Sequence, residues 1–316
     1  MRSGEALKNV TYFHRLISEG MFHFDRLNIS GIDNEPVFKL NVPEMVEQET
    51  CLFHRDIANG DAYLDLLHSA VERSSTEKRS LPIVRFADGE YAFYRYSLAC
   101  NGLYQQAANI AAIKAVMPSH IKAMKINARI GKIAPLVFPG NTQKKERGFF
   151  SFLRMSKNDD SAIRFLEFLN AHGIELNGDN YLPFYALYAY QTSGRFARLL
   201  DGKSVCVINA EYNEQAFRNW FGVFSSRPRL SHAAIPEFYV ATQWPAMKEQ
   251  VLSSIPEDTN LCLVGAGVGA LPVCVDAAEK FSIPAIDAGH VLNMMNGRED
   301  KSKGPRLYTM WKQAKG

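Results

Sequence analysis

From residue 81 onward, short apolar runs alternate with stretches of helical spacing. Residues 82–86, 132–138, 204–209, 235–240, 261–264 and 284–287 read as strands, several of them apolar almost without a break. Between them, residues 107–126, 161–171, 214–224, 244–255 and 269–281 carry helical periodicity, with Pro118 expected to interrupt the first. Continuously apolar strands alternating with helices predict a parallel sheet covered on both faces, a Rossmann-like α/β fold. Residues 1–80 read as a largely helical N-terminal extension. Its clearest helix is 62–73, with Leu64, Leu67, Ala70 and Val71 on one face. A polar stretch, 74–80, then leads into the α/β domain, 81–316, which ends in a basic tail.

Composition narrows the class. The chain has 316 residues, 47% hydrophobic and 22% charged, as expected of a globular protein. A net charge of +3 gives no reason to expect nucleic acid as a partner. No run approaches the length of a membrane span, and residues 1–30 lack the apolar core of a signal peptide. The five cysteines are odd in number and form no C-x-x-C pair, which points to a reducing cytoplasm without structural zinc. The segment 298–316 carries six basic residues against Glu299 and Asp300, with Tyr308 and Trp311 among them. It is either a plain basic tail or a peripheral contact with the inner face of an anionic membrane. The basic, Phe-rich stretch 143–154 is either a solvated face or a track for phosphates.

The chemistry gathers where the strands end, since ligands of parallel sheets bind beyond the strands' carboxyl ends. The first strand runs into Arg85, then Asp88-Gly89-Glu90. In an extended segment, positions i and i+2 share a side, so Asp88 and Glu90 are expected to converge on one ligand, with Gly89 giving the tight turn and room. Paired carboxylates suit Mg²⁺ or Mn²⁺ bridged to nucleotide phosphates. Asn209 ends the third apolar run. Gly265, Gly267 and Gly269 follow the fifth and open a helix, either to approach a phosphate or to let strand and helix pack closely. With Ala270 and Asp287 they also fit a dinucleotide fingerprint. His290, after the last strand, is placed either to serve a diphosphate, metal or proton, or to cap the next helix.

Taken together and in this order, Arg85-Phe86-Ala87-Asp88-Gly89-Glu90, Gly265-Ala266-Gly267 and Ile286-Asp287-Ala288-Gly289-His290 resemble the bacterial glycosyltransferases of the GT-D fold, formerly a domain of unknown function. The likeness spans about residues 81–296. Ala87 and Ala266-Gly267-Val268 depart from that family's pattern, and so do the non-acidic residues after His290. The resemblance implies a nucleotide-sugar-binding α/β domain acting as a metal-dependent glycosyltransferase of hexosyltransferase type. Asp88, Glu90 and His290 would be catalytic, with Asp88 and Glu90 on Mn²⁺ or Mg²⁺. Arg85, Gly89, Gln105, Asn209, Gly265, Gly267, Gly269 and Asp287 would line the site of a nucleotide-sugar donor, UDP-sugar first. The acceptor would be a glycan, glycolipid or glycoprotein. Glu211 is one candidate for the base, which the sequence leaves unassigned. The rival readings are an NAD- or S-adenosylmethionine-binding enzyme and a non-catalytic nucleotide-binding protein.

Overall fold

The computed structural model describes residues 60–101, 105–135, 165, 168–174, 176, 180–182 and 184–298. Tyr104, the basic stretch 143–154, most of the extension and the tail from 299 lie outside the described residues. In chain order the elements are α1 (Gly60–Glu77), β1 (Leu81–Phe86), α2 (Asp88–Tyr94), α3 (Ile110–Ile130) and β2 (Lys132–Pro135). Then come α4 (Phe184–Gln191), α5 (Gly194–Leu199), β3 (Ser204–Asn209), α6 (Glu214–Gly222), β4 (Arg229–Ala234) and α7 (Val240–Ser253). The chain closes with β5 (Leu261–Gly265), α8 (Ala270–Phe281), β6 (Pro284–Asp287) and α9 (His290–Met295).

All six strands are parallel, in the order β2-β1-β6-β5-β3-β4. Alternate strand residues face opposite ways, as the pleat requires. Val84, Phe86, Cys206, Ile208, Cys262 and Val264 join one core with α2, α3, α7 and α8. Ile83, Val205, Val207, Leu263 and Ile286 join the other, with α1, α4, α5, α6 and α9. The helix α1 belongs to this second layer, with Leu64, Leu67 and Val71 at 1% exposure or less. The sheet therefore has both faces covered, as the apolar strands predict.

Two expectations need correction. No strand forms over 235–240; β4 lies just before it, at Arg229–Ala234, paired with β3 alone. As an edge strand half open to solvent, β4 tolerates Arg229, Ser231 and His232, and this polar content hides it from a search for apolar runs. The helix α3 passes through Pro118 without a break. Pro118 and Lys114, whose carbonyl loses its donor, are both exposed, so water can bond that carbonyl. The strand β2 is described only to Pro135, so 136–138 lie outside the described residues. Of the expected helix 161–171, the described positions Phe165 and 168–171 are helical.

The connections open the strand ends at one place. After β1 and β5 the chain goes to the α2 and α8 face, whereas after β6 it goes to the opposite face as α9. Neighbouring strands that send their chain to opposite faces leave a crevice above their carboxyl ends. Asp287, the last residue of β6, stands there.

Candidate functional site

The pairing Ile83↔Ile286 sets β1 beside β6, so Arg85 and Asp287 emerge together at the crevice. Arg85 shares the face of Ile83 and turns toward α4. Its Nη2 donates to Asp287 Oδ1 at 2.7 Å, its Nε to the Asp287 carbonyl at 3.1 Å, and its backbone N–H to Asp287 Oδ2 at 3.2 Å. Nη1 donates to the Tyr188 hydroxyl. The guanidinium lies 4.6 Å from the Tyr188 ring centre and 5.2 Å from that of Phe184. Two of the three segments that carry the sequence resemblance thus meet through a buried ion pair, 10% and 3% exposed.

The Asp88–Glu90 pair is present, but not as an extended turn. Both residues sit in the first turn of α2, where i and i+2 diverge. Asp88 is exposed, 3.9 Å from the Cys100 thiol. Glu90 is half-buried and accepts from the Ala87 N–H at 2.8 Å, one half of a capping box. Gly89 is helical too. A Cβ there would meet only Val268, at 4.0 Å, so no turn or close approach demands glycine.

Electrostatics separate these groups. Burial pushes the Glu90 carboxyl up to about 7, and the Asp287 charge adds to the rise against the Ala87 N–H and Arg85. Burial also raises Asp287, with Arg85 working against it. Burial opposes the Arg85 cation, yet Asp287 and Tyr188 outweigh it and hold the guanidinium charged.

The glycine loop is built for packing. A Cβ on Gly265 would stand 2.6 Å from Leu292 Cδ1, and one on Gly269 2.8 Å from Val240 Cγ1. Gly267 takes φ +53°, and the Gln106 carboxamide fills the space where its Cβ would stand. Gln106 Oε1 accepts from the Val268 N–H at 2.8 Å. A side chain thus takes the loop amide that a dinucleotide phosphate would need, and the fingerprint reading loses its main support. Gln105, the residue expected here, instead accepts from the Tyr239 hydroxyl at 2.8 Å. Gln106 is thus the member of the Gln-Gln pair that meets the loop, and no pattern in the chain distinguishes the two.

The remaining candidates flank this cluster. Asn209 ends β3 and donates to the Glu211 carbonyl at 2.9 Å, while its own carbonyl accepts from His232 Nε2 at 2.8 Å. Glu211 is engaged by Arg298, and its carbonyl also accepts from Asn296 at 3.2 Å. That ties it to the end of α9, away from the Arg85 cluster. His290, half-buried, is the first residue of α9. Tyr188 and Gln191 of α4 are site residues that the sequence did not reveal. The segment Phe184–Gln191 is apolar nearly all round, so it offers no periodicity to find.

The fit to a divalent cation is narrow. Among the described residues no group of three or more His, Cys, Asp or Glu side chains could share a metal ion. Mg²⁺ and Mn²⁺ on nucleotides nonetheless need only one or two carboxylates beside the phosphates. Asp88 is free to serve as one; Glu90 has one oxygen committed to Ala87.

A parallel sheet covered on both faces, with a charged crevice at its strand ends, defines the class: a doubly wound α/β protein. The sequence profile of the GT-D fold-like domain matches residues 154–295, a stretch that includes Asp287 and His290. The chain is also similar to a solved structure described as a highly conserved domain of unknown function, 1792, with a distinct glycosyltransferase fold. Identity there is 14%, coverage 79% of this chain and 92% of the other, and the TM-score 0.44. No curated protein matches.

Proposed function

We propose that this protein is a glycosyltransferase whose nucleotide-sugar donor, a UDP-sugar first, lies over the ends of β1, β6 and β5. One observation carries this reading. Arg85 and Asp287 bond directly, so the carboxylates of α2 and the His290 turn flank one crevice in a GT-D-like sheet. Arg85 keeps positive charge beneath the place assigned to the diphosphate, which favours the growing negative charge of the leaving group. Asp88 is the carboxylate open to a divalent ion on that diphosphate; bound there, the ion would supply Lewis-acid stabilisation. Glu90, whose carboxyl burial raises to about 7, is suited to proton transfer with an acceptor hydroxyl, and His290 faces the same task from the start of α9. The acceptor belongs to the glycan, glycolipid or glycoprotein class. No helix among the described residues is long and apolar enough to cross a membrane.

Calorimetry and slow donor hydrolysis test this without knowledge of the acceptor. A panel of nucleotide sugars, with and without Mn²⁺, should include one that binds and is slowly hydrolysed, with loss of both in Asp88→Ala. Metal-indifferent binding of NAD or S-adenosylmethionine, with no nucleotide sugar bound, would overturn the reading.

A further inference from the structure

The helix α4 is apolar on almost every side, yet two of its polar groups reach the crevice. The Tyr188 hydroxyl accepts from Arg85 Nη1, and its ring covers the guanidinium. One turn on, Gln191 Nε2 donates at 3.2 Å to the Asp287 carbonyl, which also accepts from Arg85 Nε. Gln191 is 1% exposed, and its Oε1 has no partner among the described residues. A buried amide with one half unsatisfied is disfavoured, so its presence points to a task for the other half. That half is the N–H bonded to Asp287.

The brace extends to the turn after β6. Gly289 adopts φ +45° and ψ −123°, and the Arg85 guanidinium occupies the place its Cβ would take, with Cζ 2.6 Å from that position. His290 follows directly. A shift of the guanidinium therefore presses on the turn that aims His290, and the guanidinium is held in place from α4.

We propose that Tyr188 and Gln191 are positioning residues, which act through Arg85 and the Asp287 carbonyl to fix the Gly289–His290 turn in the site. The chemistry served rests on the transferase reading above; the positioning itself does not. The test uses the full chain carrying Tyr188→Phe or Gln191→Leu, with Tyr190→Phe as control. Tyr190 lies on the same helix, but its hydroxyl pairs with His68 Nδ1 at 3.3 Å, outside the brace. Phe at 188 keeps the ring over Arg85 and removes only the acceptor oxygen. Imidazole NMR signals of His290, assigned with His290→Gln, report its setting, and hydrolysis of the nucleotide sugars above reports chemistry.

Both brace variants should move the His290 signals and lower the hydrolysis kcat by about ten- to a hundredfold with KM little changed, as misplacement of a reacting group does. The control should move neither. Unchanged His290 signals in folded Tyr188→Phe and Gln191→Leu would overturn the proposal, as would an equal change in Tyr190→Phe. Should the wild-type chain hydrolyse no nucleotide sugar while His290 still moves, the transferase reading fails and the positioning stands.

Discussion

Arg85 and Gly289 share one volume: the guanidinium rests where any side chain at 289 would begin. The backbone at Gly289 also lies in a region closed to L residues, so two independent demands fall on one position. Gly289→Ala must displace Arg85 from Asp287 and strain the turn. Separating a buried ion pair costs about 3–5 kcal/mol, and the backbone adds roughly 1–3 kcal/mol. The variant should show a large fall in urea midpoint, or fail to fold; stability within about 1 kcal/mol of wild type would mean that the pair is not held as described.

The Glu90 carboxyl, raised to about 7 in the folded protein from an ordinary 4.5, gives a pH signature of known sign. Between these values the folded chain holds a proton that the unfolded chain has released, so stability falls as pH rises through the window. Glu90→Gln keeps an acceptor for the Ala87 N–H but cannot ionise. It should match wild type near pH 4 and exceed it at pH 8 by up to about 3 kcal/mol. Urea midpoints from pH 4 to 8 decide this, and parallel curves for the two proteins would refute it.

The sheet was legible because β1, β3, β5 and β6 are nearly unbroken apolar runs, the mark of strands covered on both faces. The edge strand β4 and the helix α4, buried at each of its described side chains, were not, one being too polar for its type and the other too apolar. The order of the Arg85 and Asp287 segments was visible, and their meeting follows from β1 lying beside β6. The start of α2 was hidden for a local reason. A capping box announces itself by Ser or Thr three residues before Glu, and here Ala87 fills that place, so only the Glu90 half of the signal remains.

His120 predicts an opposite pH effect. It is 1% exposed between Tyr94 and Ala241, with Nδ1 3.0 Å from the Tyr94 hydroxyl and Nε2 2.7 Å from the Ala241 carbonyl. Burial lowers its pKa to about 4, against the Ala241 carbonyl, which favours the charged ring. The unfolded chain takes up a proton near 6.5 that the folded one refuses until about 4, so stability is lost as pH falls through that window. A titration of the His120 ring signals should show it neutral at pH 5, and an inflection near 6.5 would refute the assignment.

The contact of Gln106 with Gly267 and Val268 admits a double-mutant cycle. Gly267→Ala meets two obstacles, the positive φ and the Gln106 carboxamide 2.6 Å from the new Cβ. Gln106→Ala removes the second obstacle but leaves the Val268 N–H without its acceptor, a loss of about 1–3 kcal/mol if that N–H stays dry. In the double variant the clash is gone and the lost hydrogen bond counts once. Its destabilisation should fall short of the sum of the singles by about 1 kcal/mol or more, the size of coupling seen between touching residues. Strict additivity in denaturant unfolding would show that Gln106 does not sit on the loop. It would also return the Val268 amide to the list of groups free to meet a phosphate, and so reopen the dinucleotide reading that the packing of this loop disfavours.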